Sequence, residues 1–211
     1  MPVAARRAAA FPLVALVTLG VAACGSSSKT TTPATTGAAA TGTAATTAAT
    51  AGSSVLVGKQ TSVALNPLIS TLFRENQIVA TAVAPATYHH TLLWPVSGGH
   101  VAIATVAGTI EHTGGIRLSH AGKSVEVTRF LVDTSTDQVT ALVGGQRLPI
   151  FAINTSEAKH QTGTGGTILE SGLKFTLTEQ GASALNGGLG VSAFKAGQIF
   201  GTATLTLAVK T

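Results

Sequence analysis

The chain is short of nearly every residue that carries redox, thiol or strongly electrostatic chemistry. It holds one cysteine, one tyrosine, one tryptophan and one methionine in 211 residues, and only 10% of it is charged. A lone thiol, Cys24, excludes an intrachain disulfide, and if that thiol is modified no cysteine nucleophile or thiolate metal site remains. Basic residues are scattered. The 13 Lys and Arg against 8 Asp and Glu form no stripe with interleaved aromatics, which argues against nucleic acid as a partner. Without Arg6 and Arg7 the excess of positive charge falls from five to three. Catalytic motifs are missing as well. There is no G-x-S-x-G elbow, no H-E-x-x-H, no Walker A and no G-x-G-x-x-G; "GTGGTI" fails at its last position. Asp133 and Asp137 in "DTSTDQ" lack the alternating acids of a calcium loop. The expectation is a non-enzymatic protein with no catalytic residue, no metal site and no resident cofactor.

What is present begins with a targeting signal. Arg6 and Arg7 precede "AAAFPLVALVTLGVAAC", an uncharged, mostly apolar stretch ending in small residues. That pattern reads as a secretory leader, residues 1–23. Val21, Ala22, Ala23 and Cys24 resemble a bacterial lipobox, which implies acylation of Cys24 and an extracytoplasmic protein anchored to the cell membrane by lipid. Acyl chains on one cysteine supply the paired signal that stable anchoring needs. Residues 24–54 then run through "GSSSKTTTPATTGAAATGTAATTAATAGSS", without one large apolar side chain. Such a segment cannot bury enough surface to fold, so it reads as a tether spanning on the order of 30 Å.

A single folded domain is expected over 55–211. Period-2 alternation bounded by Gly, Asn, Asp or Ser marks its strands. Ile199, Gly201, Ala203, Leu205, Leu207 and Val209 alternate with Phe200, Thr202, Thr204, Thr206 and Ala208, an apolar face backed by a threonine face. Leu173, Phe175 and Leu177, and likewise Val139, Ala141 and Val143, are expected to point inward. Two short helices interrupt the strands. Asn66 with Pro67 signals one start, and Thr178 with Glu179 another that should end before Gly187. Short strands with frequent turns predict an all-β, mainly antiparallel fold: a β-sandwich or partly closed barrel with two short helices.

Chemistry would have to come from a few residues. "GTIEHTGGIRLSHAGKSVEV" reads as a hairpin turning at Thr113–Gly115, pairing Ile110 with Leu118 and Glu111 with Arg117. A second turn at "HAGK" pairs Leu118 with Val125 and Ile116 with Val127. In that register His112 and His120 stand about 13 Å apart, too far to share an ion. Each reads as a core-rim residue with a hydrogen-bond partner, or as one donor of a ligand site. "TYHHTLLWPVSGGH" gathers Tyr88, His89, His90, Trp94 and His100. It is either a ligand-binding edge or a loop whose Trp94 packs on the core.

The run "GTIEHTGGIRLSHAGKSVEVTRFLVDTSTDQVTALV", Gly108 to Val143, resembles the middle of the HtaA domains, secreted or surface modules of bacterial haem uptake. The shared features are G-x-V-like opening, a histidine close to glycine, alternating L-x-L and a strand ending in L-x-A-x-V. In that family a Ser-Phe-Arg segment is followed by a haem-ligating tyrosine. Here Phe73-Arg74 has no tyrosine after it, and Tyr88 is the chain's only one. The resemblance implies a haem- or metal-binding module of an uptake system and carries His112 across; with the cluster above, its ligands would be Tyr88 with His89, His90 or His112. The reading from the residues alone is a lipid-anchored cell-envelope protein whose β domain has a non-enzymatic binding or structural role, its partner a surface ligand or another envelope protein.

Overall fold

The computed structural model describes residues 52–210. The leader, Cys24 and nearly all of the tether lie outside them. Twelve strands and two helices follow in order: β1 (Ser53–Leu65), α1 (Pro67–Glu75), β2 (Val79–Val83), β3 (Thr87–His89), β4 (Thr91–Ala102), β5 (Gly108–His112), β6 (Gly115–His120), β7 (Lys123–Asp133), β8 (Gln138–Val143), β9 (Gln146–Asn154), β10 (Lys159–Thr162), β11 (Thr167–Leu177), α2 (Glu179–Leu189) and β12 (Ile199–Val209). Every strand pairing is antiparallel. The sheet runs β7-β5-β4-β1-β12-β11-β9-β8 and returns to β7 through the β7–β8 ladder, which makes a closed eight-stranded barrel. β6 and β2 continue outward from β7, while β3 and β10 flank β4 and β11. Closure at eight strands leaves an interior just wide enough for side chains. Trp94, Phe130, Phe175, Leu92, Ile110 and Leu173 fill it.

The alternation behaves as the side-chain period demands. Leu173, Phe175, Leu177, Val139 and Ala141 are buried, and in β12 so are Gly201, Ala203, Leu205, Leu207 and Val209. Ile199 and Phe200 exchange their expected faces, Ile199 standing 39% exposed and Phe200 buried. A bulge opposite Phe175 and Thr176 shifts the register there, and Phe200 turns in to meet Phe73 of α1 and Phe151 of β9. Asn66 caps α1, its Oδ1 accepting from the Leu68 N–H at 2.9 Å. Thr178 caps α2, accepting from the Gly181 N–H at 2.9 Å.

Two local readings are corrected. α2 does not stop before Gly187 but runs to Leu189, with Gly190 as its left-handed cap. Gly188 serves packing instead: a Cβ there would stand 2.9 Å from the Val125 Cβ of β7. The second correction concerns Thr113–Gly115, which is not a turn. β5 and β6 do not pair with each other; both lie along one edge of β7 as successive halves of an interrupted strand. Residues 112–114 oppose only Arg129 and Phe130, a bulge in which Arg129 takes φ +50°. Gly114, at φ +75°, would drive a Cβ to 2.5 Å from the Ala86 nitrogen, so the strand kinks past the β2–β3 turn rather than reversing. Arg117 accordingly meets Glu126, not Glu111. The turn at "HAGK" pairs Leu118 with Val125 and Ile116 with Val127 as expected.

Candidate functional site

The interior holds two buried polar side chains among the described residues, Thr61 and His112, and they bond each other. Thr61 on β1 and His112 on β5 approach across β4, with the hydroxyl oxygen 2.7 Å from the imidazole Nε2. Register explains the meeting. Thr61 faces Trp94 and His112 faces Val96, so both point inward with the even residues of β4. This bond joins the Thr61 hydroxyl and the ring Nε2, and the ring tautomer sets which of the two donates. Nδ1 finds no partner, and neither does the indole Nε1 of Trp94, whose ring lies edge-on to His112 at 6.2 Å and stacks on Phe130 at 4.1 Å. Burial lowers the His112 pKa to about 4, with the backbone of Phe130 and Ile110 pulling weakly the other way. The imidazole is therefore neutral, committed to Thr61 and sealed from solvent. His112 is a core residue, not a rim residue.

His120 lies eight positions further along the interrupted strand, up to about 26 Å away at strand rise. The two histidines are thus even further apart than a hairpin would place them.

Tyr88, His89 and His90 are successive residues of an outer turn. Tyr88 pairs with Leu92 and His89 with Thr91, so a tight turn forms at His90, which adopts φ +64°. The Tyr88 ring is half-buried against the core, sharing the inner face with Leu92, while His89 and His90 are exposed. Tyr88 and His112 both border β4, but opposite Leu92 and Val96, four residues or about 13 Å apart. The structure therefore does not bring His112 to the tyrosine. His100 is exposed and belongs to another part of β4, opposite Thr109.

Space confirms that division. The enclosed cavity beneath α2, lined by Trp94, Phe130, Phe151, Leu185 and Phe200, has only about 10 Å³ of room and no polar lining. A cofactor-sized ligand needs roughly 300–1,000 Å³, so this cavity has no room for a porphyrin. Three open surface grooves of about 510–560 Å³ flank the helices, and none is lined by a histidine or tyrosine. Among the described residues no three His, Cys, Asp or Glu cluster as a metal site, and no helix is long and apolar enough to cross a membrane. Thr61 escaped the sequence reading, although its place in the alternation with Val63 and Leu65 marks a hydroxyl pointing into the core.

Fold and site together describe a closed antiparallel barrel with a filled interior and its accessible donors at an outer turn. No protein-family model and no curated protein matches the sequence. Among solved structures, the C-terminal domain of HtaA from Corynebacterium glutamicum overlays at TM-score 0.59 and 11% identity, over 74% of this chain and 99% of that one. A histidine-to-alanine variant of the same domain, solved as a domain-swapped dimer, overlays at TM-score 0.50 and 13% identity, over 67% of this chain and 90% of that one. These likenesses are of fold.

Proposed function

We propose that the chain is a lipid-anchored, extracytoplasmic binding module without catalytic activity, and that its ligand is haem, held on the outside of the barrel. The observation that carries this reading is the β3–β4 turn, which offers a half-buried phenol and two exposed imidazoles at three successive positions. Phenol and imidazole are axial donors to haem iron, so the residues present fit the group at that turn. The sequence resemblance of Gly108–Val143 to haem-uptake modules and the HtaA-like fold support the same ligand class. Haem would supply the iron centre, and Tyr88 or one of the exposed imidazoles, His89 or His90, would hold it. His112 takes no part, because solvent does not reach it and Thr61 occupies its Nε2.

The test is a hemin titration of the purified chain followed at the Soret band. A shift is expected, with affinity reduced about tenfold in Tyr88→Phe and in the pair His89→Ala, His90→Ala, a loss of about 1.4 kcal/mol. No shift, or a shift that both sets of variants leave intact, contradicts the reading.

Anchoring rests on Val21–Cys24. Cells expressing the chain should incorporate labelled palmitate into it, and Cys24→Ser should abolish the label. Labelling that survives the substitution removes the lipid anchor from the account.

A further inference from the structure

β2 ends the sheet path: one side of it pairs with β6, and among the described residues no strand pairs with the other. Unpaired edges invite strand addition, and proteins blunt them with lysine, proline or bulges. Of the two strands off that path, β10 is blunted in this way by Lys159 and His160, and β3 is only three residues long. β2 has no such device. Its sequence is Val-Ala-Thr-Ala-Val, uncharged, without a register shift, with Val79 60% exposed.

That sequence is also a palindrome. Laid antiparallel against a second copy of itself about Thr81, it places Val79 opposite Val83, Ala80 opposite Ala82 and Thr81 opposite Thr81. Every cross-strand pair is then matched in size and none carries charge, so no like-charge repulsion opposes the two-fold pairing. The faces agree too. Ala80 and Ala82 pack toward the core, so the pairing would continue the inner face of the sheet, with Val79, Thr81 and Val83 along the outside. The nearest charges on that outer face, Arg117 opposite Thr81 and Glu126 beside it, neutralise each other.

We infer that two copies of this chain associate through their β2 edges, joining the two sheets antiparallel about Thr81. Five residues per strand bury less than a permanent dimer needs, so the association is reversible.

Sedimentation equilibrium of the full-length chain in detergent, up to about 200 µM to reach a weak interface, tests this. The chain should dimerise, and Val79→Lys should raise the dissociation constant about tenfold or more by adding a lysine to each edge. Because Val79 is largely exposed, the variant should keep the wild-type fold. In a Cys24→Ser background, Thr81→Cys should form an intermolecular disulfide under mild oxidation, while Ser156→Cys, exposed elsewhere, should not. A wild type that stays monomeric, a dimer indifferent to Val79→Lys, or equal cross-linking at both cysteines overturns the inference.

Discussion

At the scale of single residues the decisive pair is Thr61 and His112. His112 has its pKa lowered to about 4 by burial, against an ordinary 6.5. The unfolded chain therefore binds a proton between those values that the folded chain refuses. The stability involved is fully present above about pH 6.5, drains away as pH falls toward 4 and changes no further below it. The drop is about 3 kcal/mol at one pKa unit per 1.36 kcal/mol, measurable by urea unfolding at pH 7 and pH 4. Thr61→Val alone strands the imidazole and should cost about 1–3 kcal/mol at pH 7. Thr61→Val combined with His112→Phe replaces the pair by apolar groups and should restore most of that loss while flattening the pH dependence. A double variant that keeps the full acid sensitivity would assign it to other groups. Little of this pair was legible in the sequence, because the partners lie 51 positions apart. Period-2 alternation marks each as inward-pointing, but only the β1–β4–β5 ladder brings them into one place.

At the scale of elements, local signals served the starts of helices better than their ends. Asn66 and Thr178 satisfy specific orphan N–H groups, and such caps are written in neighbouring residues. The end of α2 was not legible, because Gly187 and Gly188 look alike in sequence and differ only in what they face. Around a Cβ at Gly187 there is open space, whereas at Gly188 it would meet the Val125 Cβ at 2.9 Å. Gly187→Ala should therefore stabilise the domain by up to about 1 kcal/mol through helix propensity. Gly188→Ala should destabilise it by about 1–2 kcal/mol, since crowding against β7 outweighs the same gain. Thermal melts of the two variants should shift in opposite directions, and shifts of equal sign would refute this packing of α2 on β7. The Thr113–Gly115 stretch teaches the same lesson. Two glycines after an apolar strand signal a break in the ladder, yet the choice between reversal and kink is made by Ala86 and by the bulge at Arg129.

At the scale of the whole molecule, closure of the barrel decides where a ligand can go. The all-β, antiparallel class follows from alternation and turn spacing, whereas closure depends on the long-range β1–β12 ladder, which joins the first described strand to the last and which no local pattern encodes. Once closed, the barrel is filled by Trp94, Phe130, Phe175 and their neighbours, so the interior offers neither room nor an accessible donor. Tyr88, His89 and His90 were visible in the sequence as a dense cluster, and the structure separates them from His112 by keeping them on an outer turn. The central claim is thus that binding is external and independent of the buried histidine. A hemin titration of the full chain beside its Tyr88→Phe and Thr61→Val/His112→Phe variants tests that claim most directly. The account predicts a Soret shift that weakens about tenfold in the first variant and is unchanged in the second. A shift lost on replacing Thr61 and His112 while Tyr88→Phe binds normally would contradict it.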